Sequence, residues 1–280
     1  MELVRVACQM PEKVGRALGV WDCTELAREV IREGVVESIS SQTVQRILRH
    51  HRLKPWRSHY WLREKTPRDA KFIERTQAIC ELYTRRLMVH EVVLSVEEKT
   101  SIQPRTRLAP TRPAQPGQPV QVEHEYQRKG AINLFAAFDT RTGRVYEKEY
   151  ERKRQGEFID FLEFLERAIP SSVTAIHLVC DNVSTHHGKE VRAWLETHPR
   201  LQFHFTPVHC SWMNQVEQWF SILQRKLLKA PNFADLSDLK EKIRTFTAQW
   251  NDVAAPFSWT RESFTKVLAK AAARKGPPPC

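Results

Sequence analysis

No apolar stretch in the 280-residue chain approaches the roughly 18 residues that a membrane span requires. The opening, MELVRVACQMPEK, is too short and too interrupted for a secretory signal. The six cysteines (Cys8, Cys23, Cys80, Cys180, Cys210 and Cys280) include no C-x-x-C pair. A structural zinc is therefore not expected, and the thiols read as small apolar fillers in a reducing compartment. There is no internal repeat. These absences point to a cytosolic globular protein, and 41% hydrophobic with 28% charged residues is an ordinary composition for one. The length fits one large domain or two smaller ones. Negative charge is also scarce: 33 Asp+Glu stand against 44 Lys+Arg, a net charge of +11. Such a balance favours a polyanionic partner, because neutralised phosphates release their condensed counterions.

The first sixty residues read as helices. Asp22 is placed to cap one, with Glu25 as its capping-box partner, Leu26, Val30 and Ile31 as its apolar stripe and Gly34 as its stop. Ser40 or Ser41 can cap a second, QTVQRILRHH, whose apolar face is Val44, Ile47 and Leu48. Its open face carries Gln42, Thr43, Gln45, Arg46 and Arg49. A short helix around Leu3–Cys8 would complete a three-helix unit. The pattern fits a helix-turn-helix with its second helix in a DNA major groove, and it also fits a helical hairpin with a solvated face. Pro55 then stops the helix. Arg57, His59, Tyr60 and Trp61 suit a linker that tracks a DNA backbone, although Trp56 and Trp61 equally suit packing anchors. Residues 67–90 read as a long helix with a basic end (Arg85, Arg86) that bridges to the next domain.

From Val92 the pattern becomes β-rich. VVLSV, AINLFAAFD and RVYEKEY read as three strands, the last two joined by a turn at Gly143. Between the first two, residues 104–119 hold five prolines and read as a long loop, basic at Arg105, Arg107 and Arg112. Helix GEFIDFLEFLERAI, strand AIHLVCD, helix GKEVRAWLETH, strand LQFHFTP and a long helix SWMNQVEQWFSILQRKLL follow, with further helices over 236–250 and 259–274. Three locally linked strands and then alternating helices and strands give a five-stranded mixed sheet covered by helices, the order of a ribonuclease-H-like fold. The expected division is an all-α helix-turn-helix domain at 1–58, a linker and bridging helix at 59–90, a mixed α/β catalytic domain at 91–270 and a flexible tail at 271–280.

This topology concentrates three acids. Glu97 ends the first strand, Asp181 ends the fourth and is followed by Asn182, and Glu217 lies on the later helix, 35 residues beyond Asp181. Any single acid is most often a solvated side chain, so the joint pattern carries the reading. Cleaving a phosphodiester without a covalent intermediate is well served by two hard divalent ions, and carboxylates are their ligands.

SVEEKTSIQ, EYQRKGAINLFAAFD, the D-N-x-x-x-H of Asp181, Asn182 and His186, and SWMNQVEQWFSILQRK together resemble the mariner-type DDE transposases, most closely the bacterial insertion-sequence group IS-six-thirty. ISSQTVQRILRHHRLKPWRSHYWL resembles the end of that family's DNA-binding region. The resemblance implies a metal-dependent enzyme that binds the inverted repeats at element ends, cuts by hydrolysis and joins the 3′ ends to a TA target. It assigns Glu97, Asp181 and Glu217 as catalytic acids and ligands of Mg²⁺ or Mn²⁺, with two ions expected. It places Arg128, Gly130 and His186 near the DNA; Asn182, next to Asp181, is expected near the site, and Arg107, in the basic loop, is expected to contact DNA. As residues alone, Arg128 equally reads as a surface charge, Gly130 as a strand-entry residue and His186 as a helix-start cap. The implied partners are double-stranded DNA and a second copy of the chain, in a bacterial cytoplasm. The family form carries Asp where this chain has Glu97, and a further helical unit upstream. A DNA-binding protein without catalysis, and a ribonuclease H or junction resolvase on the same fold, are the competing readings.

Overall fold

The computed structural model describes residues 1–58, 69–208, 210–229, 232–262, 264–265 and 269. The chain divides into two compact units, Met1–Lys65 and Thr66–Cys280. His59, Tyr60 and Trp61 of the expected linker, most of the helix expected over 259–274 and the tail at 271–280 lie outside the described residues. Among the described residues, no helix is long and apolar enough to cross a membrane.

The first unit holds α1 (Glu2–Ala7), α2 (Cys23–Arg32) and α3 (Ser41–His50) around Leu3, Val6, Trp21, Leu26, Val30, Val44 and Leu48. The Asp22 side chain accepts from Thr24 N and Glu25 N, while the Glu25 carboxylate turns to Arg28 at 2.5 Å, so only one half of the expected capping box is present. Gly34, at φ 70°, closes α2: its N–H reaches Ile31 O, and Val35 N reaches Val30 O. Ser40 caps α3 through Thr43 N. The same closing pattern ends α3 around Arg52, a non-glycine residue at φ 54°, with Leu53 N on Leu48 O.

Glu29 is fully buried on α2 and is held by Arg16 at 2.8 Å and by Arg32. These guanidiniums keep its carboxyl below the usual range, Arg32 foremost, against the opposing effect of burial. Replacing Glu29 by Ala removes three charge-assisted hydrogen bonds to two arginines, and about 1.5–3 kcal/mol of stability is expected to go with them. Thermal unfolding of the full chain checks this; an unchanged melting temperature would show that water replaces the pairs without loss.

The second unit opens with α4 (Ala70–Thr84), capped by Asp69 on Phe72 N. It is shorter than the helix expected over 67–90. It is also no free-standing bridge, because Phe72, Ile79, Leu82 and Tyr83 pack on Val93, Val179 and Met213 of the sheet domain. Then come β1 (Glu91–Ile102), β2 (Arg105–Arg107), β3 (Tyr126–Arg128), β4 (Ile132–Asp139), β5 (Val145–Tyr150), α5 (Gln155–Ala168), β6 (Ala175–Cys180), α6 (Lys189–Glu196), β7 (Leu201–Phe205), α7 (Val216–Leu223) and α8 (Leu236–Asp252). The main sheet has the order β5-β4-β1-β6-β7, antiparallel from β5 to β1 and parallel from β1 to β7. This is the mixed five-stranded sheet expected from the sequence.

The segment expected as a plain loop is better ordered than its prolines suggest. Arg105–Arg107 pairs with Tyr126–Arg128, and bridges at Arg112–Gln121 and Gln115–Gln118 extend the pairing. The prolines lie between these pairs, where no ladder donor is needed. The long helix expected over 211–228 is also divided: a 3₁₀ turn (Ser211–Met213), α7, then a π-turn (Gln224–Leu228).

Strand alternation sends Leu94, Val96, Phe135, Ala137, Ile176 and Leu178 to the face covered by Phe158, Phe161, Leu162 and Leu165 of α5. Leu134, Ala136 and Phe138 face Val216, Trp219, Phe220 and Leu223 of α7 and Leu239 and Ile243 of α8. Gly143, at φ 78°, makes the β4–β5 turn. A side chain there would meet the Ala255 backbone at 2.3 Å, so the position admits glycine alone.

Candidate active site

The parallel register places two of the acids. Val93 pairs with His177 and Ser95 with Val179, so two residues on, Glu97 and Asp181 lie side by side at the ends of adjacent strands. Glu97 shares its strand face with Ser95, which is bonded to Asn214 and Val216 at the start of α7, and Glu217 stands in the first turn of that helix. Glu97 is buried, at 8% exposure, and burial followed by repulsion from Asp181 pushes its carboxyl up to about 8. Glu217 is half-buried and raised by burial, opposed by the Lys99 ammonium and aided by Asp181. Asp181 thus acts electrostatically on both other acids, at the C-terminal ends of the adjacent strands β1 and β6. Among the described residues, no group of three or more His, Cys, Asp or Glu side chains is drawn together closely enough to hold a metal ion.

Glu98 faces the other side, as strand alternation dictates, and joins the site through His186. This imidazole is fully buried, with Nε2 2.8 Å from Glu98 Oε1 and Nδ1 2.9 Å from Asp181 Oδ1, and its ring lies on Phe158. Burial disfavours its charge, but the two carboxylates outweigh burial and push it up to about 10. His186 is therefore a buried cation between two acids rather than a simple helix-start cap. Burial would raise Asp181, but the His186 bond holds its carboxyl below the usual range. Asn182 is exposed beside it.

Asn214 and Ser95 were not identified from sequence. Asn214 is fully buried in the turn before α7; its Nδ2 donates to Val96 O at 2.8 Å and to Glu97 Oε2 at 3.2 Å. Ser95 Oγ donates to Asn214 Oδ1 and accepts from Val216 N at 3.0 Å. Tyr83 Oη donates to Met213 O at 3.0 Å. These bonds fix the start of α7 on β1, and so fix Glu217 relative to Glu97. Only the polar residue types in SVEE and SWMNQVE hinted at them.

The expected DNA-contacting residues lie in both units. On α3, Gln42, Gln45, Arg46 and Arg49 are exposed, while Thr43 is partly covered and its hydroxyl lies 3.0 Å from Ser40 Oγ. Gln45 and Arg49 line a cavity of about 570 Å³ with Arg52, Lys54 and Trp56, and Arg57 is exposed beyond it. In the second unit Arg128 is exposed, but the Arg107 guanidinium donates to Glu123 O at 2.6 Å and His124 O at 3.2 Å, which ties the hairpin together. Gly130, at φ 80°, admits the chain to β4 against Leu236.

The insertion element IS630 uncharacterized 39 kDa protein of Shigella sonnei is 26% identical over 134 residues, 48% of this chain and 38% of that protein. The chain thus matches well under half the length of that relative. The mariner Mos1 paired-end complex with Mg is similar in fold, with a TM-score of 0.54 at 18% identity over 96% of this chain and 77% of that one. The Mos1 complex with Mn gives 0.53 at 17% identity, over 98% and 75%. The family described as DDE superfamily endonuclease matches residues 93–240, which include Glu97, Asp181 and Glu217 and span more than half of the chain. The chain belongs to the DDE superfamily of endonucleases.

Proposed function

We propose that the chain is an insertion-sequence transposase. It holds element ends through α3 and the basic residues after it, cuts a DNA strand, and transfers the freed 3′ end into target DNA, at TA sites by the family resemblance. The observation that carries this reading is the juxtaposition of Glu97 and Asp181 in register at two strand ends, with Glu217 presented beside them by α7. Water attacks phosphorus and the P–O3′ bond breaks, leaving a 3′-hydroxyl and a 5′-phosphate. The 3′-hydroxyl then attacks a target phosphorus, and the target's own P–O3′ bond breaks in exchange. Glu97, Asp181 and Glu217 are the residues that would hold Mg²⁺ or Mn²⁺. An open set of carboxylates suits hard cations, which take one or two from the protein and fill their remaining positions with water and phosphate. When bound, such ions activate the attacking oxygen and neutralise charge on the leaving one. His186 fixes Asp181, and Asn214 fixes Glu97. The names of the Mos1 complexes, with Mg or Mn and paired ends, support the same reading. Two ends must meet for transposition, so a homodimer on DNA in the bacterial cytoplasm completes the proposal.

Incubation with DNA carrying the element end should give nicks that require Mg²⁺ or Mn²⁺ and vanish with chelator. Cutting that needs no metal would end the proposal. Because Glu97 holds a proton near neutral pH, cation binding displaces it, and the affinity for Mn²⁺ should climb as pH rises through about 8. Calorimetry showing a flat affinity across that window would remove Glu97 from the ligand set.

The Asn214 bond reaches a carboxylate of glutamate length. Glu97→Asp draws the group back on the order of 1 Å, and nicking should slow by up to about 10²-fold. A gain in rate would favour the second reading, that of a weakened copy acting mainly as a DNA-binding protein. That reading is motivated by the Glu in place of the family's Asp.

A further inference from the structure

Beyond the acids, the same face of the second unit holds two adjoining cavities. The larger, about 680 Å³, is lined by Lys99, Glu217, Gln218, Ser221, Gln224 and Arg225 among others. The smaller, about 150 Å³, is lined by Thr100, Ser101, Gln103, Arg105 and Leu228, and it shares Lys99 and Gln224 with the first. The two therefore form one trough that leads from Glu217, past Lys99 and Arg225, to Arg105. Among the described residues of its lining there are three cations and a single carboxylate, Glu217, which lies at the catalytic end.

Both walls of the trough are irregular. On one side β1 slips register between Lys99 and Ile102, and Ser101 takes φ 56°, a left-handed conformation costly for a non-glycine residue. Bulges of this kind re-aim side chains and recur next to active sites. On the other side the helix widens into the π-turn at Gln224–Leu228, a feature that also recurs at functional sites. Lys99 leans toward Glu217 closely enough to oppose the rise in its pKa. Lys99 lies two residues beyond Glu97 and so on the same face of the strand. From Glu97 to Ser101 the strand advances about 13 Å.

We propose that this trough is a track for the sugar–phosphate backbone of one DNA strand. Lys99, Arg225 and Arg105 hold about three consecutive phosphates adjoining the one being cut, and Gln218 and Gln224 donate to the same backbone. The inference rests on the transposase reading and adds the path by which the strand reaches the acids. Lys99 and Arg225 are positioning residues in this scheme.

The test measures binding of the full chain to a fluorescein-labelled duplex of mixed sequence with a short unpaired 3′ tail, over a range of salt concentrations. Each phosphate contact contributes about 0.7–0.9 to the slope of log affinity against log salt. Lys99→Gln with Arg225→Gln should lower that slope by about 0.7–0.9 per cation removed. Lys99→Arg should restore its share, which a fold defect would not allow. Replacing the tail phosphates by methylphosphonates should lower the wild-type slope, yet lower that of the double variant far less. A double variant with the wild-type slope, or two effects that simply add, overturns the proposal. Nicking by the wild type in Mg²⁺ is followed in parallel. Nicking with unchanged slopes defeats the track alone, whereas lowered slopes without nicking in any metal leave the track standing and defeat the transposase reading.

Discussion

Asp181→Asn should remove metal-dependent strand cutting, a fall of about 10³-fold or more, while leaving the fold nearly intact. The asymmetry follows from what the side chain does. Asn keeps an oxygen for the two bonds that Asp181 accepts, from His186 Nδ1 and from Val183 N. It loses only the negative charge. That charge acts on both Glu97 and Glu217, so Asp181 is the electrostatic centre of the three acids. Several kcal/mol of charge stabilisation at the reacting phosphate would go with the cations it helps to hold, and each 1.36 kcal/mol is a factor of ten in rate. Two secondary shifts should accompany the loss. The Glu97 carboxyl should come down from about 8, because one of its two main perturbations is gone, and His186 should come down from about 10, having lost one of its two anions. Nicking assays, thermal unfolding and imidazole titration by NMR read these out. Full cutting by the variant would refute the assignment of Asp181.

Asn214→Leu is expected to cost about 3 kcal/mol in stability and to abolish most of the activity. The side chains are close in volume, so no cavity is created, and the penalty is polar. Ser95 Oγ loses its acceptor, while Val96 O and Glu97 Oε2 lose a donor in a fully buried setting. Leaving a buried polar group unpaired costs roughly 1–3 kcal/mol. For a domain of this size that should lower the melting temperature by about 6–12 °C. Activity should fall further than stability explains, because α7 carries Glu217 and its start would no longer be tied to β1. Asn214→Asp, which preserves the acceptor but places a fourth carboxylate beside Glu97, should be stable only at low pH. If the Leu variant melts with the wild type, the buried network is not what seats α7.

The sheet, and the places of Glu97 and Asp181 at two strand ends, were legible because they rest on short-range rules. The alternation in VVLSVEE and AINLFAAFD sets which face each residue takes, and so separates Glu98 from Glu97. The spacing from Asp181 to Glu217 was equally visible. Hidden were the features that require two distant segments at once. Ser95 and Asn214 read as ordinary polar residues until β1 and α7 are adjacent. His186 read as a turn residue until Glu98 arrives from a strand 88 positions earlier. Arg107 reads as a DNA-contacting cation of a loop, yet it ties together a hairpin whose prolines argued for no pairing at all. The division of the 211–228 helix was equally hidden, since its apolar stripe continues through the π-turn.

The stretch between Asp181 and Glu217 can be viewed as a closed excursion. The chain leaves the C-terminal end of β6 at Asp181, runs back along α6, reverses at 197–200 and returns along β7 to the end of the sheet it left. Its return leg is anchored by Ile176 opposite Leu201 and Cys180 opposite Phe205. The interval that looks like a fixed ruler in the primary structure is thus only the contour of a loop whose two ends are pinned independently. Lengthening or shortening the far reversal should move neither end, so drift in that interval among natural variants would carry no penalty for the chemistry.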